Sequence, residues 1–177
     1  MDNLIRWSIL LELISELKNV GSWCGETHIQ KSAFFLEEML GVPLELGFIM
    51  YKYGPYSFEL SDDLTALRAY NYIDLMPLEP YGVTYSLKDE ENKLKKFYEK
   101  DIEEYSEKIF SIAETFGNRT VVELEKLATA FFVYNNENIE DAEEIAKRLN
   151  EIKPHVSIQD AEKAVEEMLE IRENIQT

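Results

Sequence analysis

Leu4, Trp7, Leu11, Ile14 and Leu17 recur every three or four residues, the spacing of one helix face, with Asp2 or Asn3 placed to cap it and Val20-Gly21-Ser22 placed to end it. A second helix is expected from Thr27, whose hydroxyl suits a capping box with Gln30, to Gly41, with Ile29, Ala33, Leu36 and Leu40 facing inward. Pro43 prevents continuation. The stretch from Gly47 to Tyr53 is aromatic and β-branched enough to predict a strand. Gly54-Pro55 then predicts a turn with Pro55 in the first turn of a third helix, which carries Phe58, Leu60, Leu64, Leu67 and Tyr70 and ends near Asn71.

Tyr72 to Met76 and Val83 to Leu87 predict a β-hairpin whose loop holds Pro77, Pro80 and Gly82. Three helices followed by a hairpin is the order of a winged helix, with one extra strand inserted, and this unit is assigned residues 1–90. From Lys93 to Phe116, Tyr98, Ile102, Tyr105, Ile109, Ile112 and Phe116 alternate steps of four and three, a heptad seam that predicts one long helix. That seam either packs on the C-terminal helices or pairs with a second copy in a homodimer. Thr120 and Glu123 form a capping-box pattern for a helix ending at Asn135-Asn136, and helices follow over 139–149 and from Ser157 onward. The fold class is therefore α+β and mostly helical: a winged-helix-like N-terminal unit with a small antiparallel sheet, then a long helix and a C-terminal helical bundle over 91–177.

Charge narrows the function. Among 177 residues, 18 Lys and Arg face 35 Asp and Glu, a formal net charge of -17. Both DNA and anionic membranes are held by cationic side chains that displace counterions, so this balance weighs against them. Residues 1–90 hold six cations (Arg6, Lys18, Lys31, Lys52, Arg68 and Lys88) against fourteen acids, and the third helix offers Glu59, Asp62 and Asp63 beside Arg68. A DNA-binding reading would need Arg68 together with the local cluster Lys93, Lys95, Lys96 and Lys100. The N-terminal apolar run is interrupted by Glu12 and Glu16 and follows no basic leader, so a cytoplasmic protein with a reduced Cys24 and no membrane contact is expected.

Chemistry is sparsely signalled. One cysteine and two histidines supply neither a disulfide framework nor a metal-ligand set, and no glycine motif for nucleotide phosphates occurs, so no cofactor is expected. Cys24 and His28 lie four apart near a helix start, where a nucleophile and base can be imagined, but Thr27 as the cap between them keeps them off one helix face and favours a buried cysteine and a surface or capping histidine. Tyr51-Lys52-Tyr53-Gly54-Pro55-Tyr56-Ser57 crowds three tyrosines and a lysine around a turn. Either the tyrosines fill the core and Ser57 satisfies helical N–H groups, or Tyr51, Lys52, Tyr53, Tyr56 and Ser57 form a partner-binding surface.

This stretch, with Phe48-Ile49-Met50 before it, Glu59-Leu60 after it, His28-Ile29-Gln30-Lys31 and Phe34-Phe35-Leu36 upstream, and Lys153-Pro154-His155 downstream, resembles the prokaryotic YwgA-like proteins and the related SocA-like Panacea antitoxin domains. The resemblance implies a winged-helix-like core with appended helices and roles in toxin neutralisation or proteolytic adaptation, without catalytic residues. Together these readings lead to a non-enzymatic regulatory or adaptor protein acting through a protein partner, with a DNA-binding regulator as the alternative.

Overall fold

The computed structural model describes residues 1–80 and 82–175. Among them are eight helices and four short strands: α1 (Asn3–Asn19), α2 (Glu26–Glu38), β1 (Ile49–Tyr51), β2 (Gly54–Tyr56), α3 (Phe58–Ala69), β3 (Ile73–Leu78), β4 (Gly82–Leu87), α4 (Glu91–Phe97), α5 (Glu99–Phe116), α6 (Val121–Asn136), α7 (Ala142–Ile152) and α8 (Ile158–Ile175). The fold is α+β and mostly helical. The expected order of three helices and a hairpin is present, with a second hairpin, β1–β2, between α2 and α3.

Local chemistry explains most boundaries. The Asp2 carboxylate accepts from Leu4 N and opens α1. Gly41, at φ +67°, lets Val42 N reach Leu36 O and so closes α2. Thr120 and Glu123 form the expected capping box at α6, and Ser157 Oγ accepts from Asp160 N where α8 begins. The β3–β4 hairpin pairs Ile73 with Leu87 through Leu78 with Gly82.

Four expectations change. Helix α2 begins one residue before Thr27 with Gly25 as its cap, because Gln30 turns inward to bond Ser57 instead of closing a box. Pro55 lies in β2 rather than in the first turn of α3, whose cap is Ser57. The helix over Lys93 to Phe116 is broken at Tyr98, where the backbone (φ −108°, ψ 28°) leaves α4 and re-enters as α5. The heptad seam is occupied within the chain: Ile109 and Ile112 are fully buried and Ile102 nearly so, Tyr98 and Tyr105 are half-buried, and α5 lies along α1 and α2 rather than along the C-terminal helices. A homodimer built on that seam would have to displace α1.

One buried cluster runs through both segments of the chain. It joins Ile9, Leu13 and Leu17 of α1, Phe34 and Phe35 of α2, Phe116 of α5 and Phe131 of α6. Phe35 stacks on Phe116 with ring centroids 4.0 Å apart, and Phe34 meets Phe131 edge-on at 5.8 Å. Helices α6, α7 and α8 pack together, and α6 rests on α2. Within the N-terminal segment, buried Arg6 bonds Asp63 (Nε to Oδ2 2.8 Å), and Trp7 Nε1 donates to the same carboxylate at 2.7 Å, fixing α3 against α1. No described helix is long and apolar enough to cross a membrane.

Candidate functional site: an aromatic hairpin held by two buried lysines

Strand β1 reverses through Lys52-Tyr53 into β2, in the register Ile49–Tyr56, Met50–Pro55 and Tyr51–Gly54. Gly54 takes φ +88°, and a Cβ there would sit 3.2 Å from Thr129 Oγ1 and 3.4 Å from Lys31 Cε, so both conformation and space call for glycine. This close approach seats β2 on α6.

Two lysines hold the turn from inside. Lys31, among the largest fully buried side chains, donates through Nζ to Pro55 O at 2.7 Å. Lys153, which is 4% exposed, donates to the carbonyls of Tyr51 and Lys52 and lies 3.0 Å from Glu125 Oε1. His155 Nε2 stands 3.7 Å from the same carboxylate. Burial pushes the Lys31 ammonium down to about 8; the Glu125 charge opposes that shift and the Lys153 charge adds to it. Gln30 completes the frame by donating to Ser57 O and accepting from Ser57 N, both at 2.9 Å. Ser57 itself is fully buried and accepts from Leu60 N at 3.0 Å as the cap of α3. Gln30-Lys31, Tyr51 to Ser57 and Lys153 thus meet at one place although they are up to about 120 positions apart.

The outer side of the hairpin is aromatic and open. Tyr51, Tyr53, Phe58 and Ile49 are between 50% and 56% exposed. Tyr51, Tyr56 and Phe58 form a triangle with ring centroids 5.1–5.7 Å apart, and Lys52 Nζ stands 5.0 Å above the Tyr53 ring. Tyr56 is half-buried and its hydroxyl donates to Glu26 Oε1 at 2.9 Å; burial, with the Glu26 charge adding, raises its pKa. The tyrosines therefore do not fill the core. Of the five residues expected at a partner surface, Tyr51, Lys52, Tyr53 and Tyr56 reach it and Ser57 stands behind it. Sequence reasoning counted Phe58 as an inward residue and missed it as a surface one; its place directly after the cap at Ser57, on the outward side of the first turn, was the available signal.

The remaining candidates are dispersed. Cys24 is wholly buried and desolvation pushes its thiol up to about 12, while His28 Nε2 lies 2.9 Å from Arg119 O, which fixes it as the donor. A nucleophile and base are not assembled there. His28, Trp23, Leu78 and Val122 line a cleft of about 540 Å³ between the second hairpin and α6. Among the six cations of residues 1–90, Arg6 and Lys31 are buried, Lys18 donates to Thr84 and Lys88 pairs with Asp74, leaving Lys52 and Arg68 exposed. In the second cluster Lys93, Lys96 and Lys100 are exposed, whereas Lys95 is paired with Glu12 at 2.6 Å and with Glu91. Among the described residues no group of three or more His, Cys, Asp or Glu side chains is placed to hold a metal ion.

Fold and site together define a mostly helical α+β protein that presents an aromatic hairpin tied to two buried lysines. No protein-family model matches the chain, and no curated protein is significantly similar to it.

Proposed function

We propose that this chain is a non-enzymatic regulatory or adaptor protein that captures another protein on the aromatic face of β1–β2. The observation that carries the reading is the cluster Ile49, Tyr51, Tyr53 and Phe58, each about half exposed, on a hairpin whose backbone is tied to buried Lys31 and Lys153. Monomers seldom leave a contiguous apolar patch in water unless it binds something, and aromatic anchors on a stiff backbone lose little entropy when they are buried. The charge of -17 would accelerate encounter with a basic partner. An antitoxin-like role, in which the partner is silenced because its working surface is covered, falls within this reading, and the cytoplasm is the compartment that keeps Cys24 a thiol.

The double variant Tyr51→Ala/Phe58→Ala tests it. Affinity capture from native extract, after nucleic acid has been digested, should lose the partner with this variant, while thermal unfolding shifts by only a few degrees because both side chains are surface groups. Unchanged capture would refute the reading. The competing DNA-binding reading relies on Arg68, Lys93, Lys96 and Lys100, and micromolar binding of duplex DNA at low salt would put it in first place.

A further inference from the structure

The hairpin offers main-chain groups as well as rings. Its sheet has two strands, β2 rests on α2 and α6, and β1 is the outer one. Met50 stands opposite Pro55, which has no N–H, and Pro55 O is turned inward to Lys31 Nζ. In an antiparallel ladder hydrogen-bonded pairs alternate with unbonded ones. The bonded pairs therefore fall at Ile49–Tyr56 and Tyr51–Gly54, and the Met50 N–H and C=O point away from β2, on a residue that is partly exposed. Exposed edges are ordinarily blunted by charge, proline or a bulge. Gly47-Phe48-Ile49-Met50-Tyr51 carries neither charge nor proline, and Ile49 and Tyr51 share the face that bears Tyr56.

We infer that the open edge of β1 accepts an extended segment of a partner protein as a third strand, bonded through Met50, with alternate apolar side chains on the platform of Ile49, Tyr51 and Phe58 and with lysines and arginines flanking them. This rests on the proposed capture function and specifies its mode. The charge requirement follows from the chain's -17 as a whole, since Glu59 beside Phe58 is already paired with Arg6 at 3.0 Å. The same charge opposes a second copy as the occupant, since two such chains repel.

The test uses the full chain and the peptide Ac-Arg-Val-Lys-Ile-Lys-Val-Arg-amide, with two controls: the same peptide N-methylated at both lysines, whose N–H groups face Met50 when the valines and isoleucine lie over Ile49 and Tyr51 in an antiparallel third strand, and one with glutamate in place of each basic residue. Binding is followed by calorimetry and by hydrogen exchange at the Met50 amide. The basic peptide should slow that exchange at least tenfold and bind at least tenfold more tightly than either control. Equal binding of the N-methylated peptide, unchanged exchange at Met50, or no binding of the basic peptide overturns the inference. A variant, Met50→Pro, separates it from the broader reading: it should lose native-partner capture while its melting temperature stays near that of the parent. Capture kept by Met50→Pro and lost by Tyr51→Ala/Phe58→Ala would remove the added strand and leave the aromatic surface standing. Sedimentation that shows a dimer abolished by Met50→Pro would make the occupant a second copy and overturn the basic partner.

Discussion

Replacing Lys153 with methionine tests the internal frame of the hairpin most directly. The substitution keeps side-chain length and removes a cation that is 4% exposed, lies 3.0 Å from Glu125 Oε1 and donates to the carbonyls of Tyr51 and Lys52. Glu125, 8% exposed, is then left buried without its principal counter-charge. Breaking a buried pair from one side costs about 3–5 kcal/mol. Lys31 and His155 remain near the carboxylate, so the lower end, about 3 kcal/mol, is expected, which for a chain of this size lowers the melting temperature by roughly 6–12 °C. Glu125→Gln alone should cost less, about 2 kcal/mol, because Lys153 keeps its two carbonyl acceptors. The double variant Lys153→Met/Glu125→Gln buries no unbalanced charge from this pair and should be more stable than the sum of the singles by at least about 2 kcal/mol. Urea unfolding of all four proteins at pH 7, followed by circular dichroism, measures the cycle. Costs that add within about 0.5 kcal/mol, or a Lys153→Met cost below about 1 kcal/mol, would refute the idea that this pair organises the turn.

Gly54→Ala should destabilise by about 1–3 kcal/mol in the same assay, since φ is +88° and the new methyl meets Thr129 Oγ1 at 3.2 Å. Lys31 makes stability rise with pH: its folded pKa of about 8 lies below its unfolded value of 10.5, so the folded state holds fewer protons between those limits, and parent minus Lys31→Met should climb from about pH 8 to about pH 10.5 by on the order of 3 kcal/mol in unfolding free energy. Ile109→Asp, at a wholly buried position on α5, should unfold the monomer, as read by circular dichroism, instead of converting a dimer into folded monomers in sedimentation.

The sequence made the architecture legible where a single helix or hairpin carries its own signals. Asp2, Thr120 with Glu123, and Ser157 all cap as expected, because a cap depends on residues only two or three apart. The hairpin at the site was harder to read. Gly54-Pro55 has the chemistry of a turn and a helix start, and it becomes a strand because Lys31 and Lys153, distant along the chain, take up the carbonyls around it. Lysine is the residue type least expected inside a protein, so neither could be placed there from pattern alone. The Tyr98 break was also hidden, since the heptad phase of Tyr98, Ile102, Tyr105 and Ile109 runs on without a missed step. The tyrosine-rich stretch itself was visible as a surface candidate; which rings face outward depended on β1–β2 register, which residue spacing does not fix.

The two lysines also tie the presenting loop to opposite regions of the chain. One ammonium comes from the second helix and the other from the joint between the last two, so the loop keeps its posture only while both regions are in place. A fragment ending at residue 90 would retain every exposed ring of the hairpin yet lack the Lys153 tether and the α6 seat, and it would display those rings on a slack strand pair. Transplanting the recognition surface onto another scaffold would require carrying both internal tethers with it.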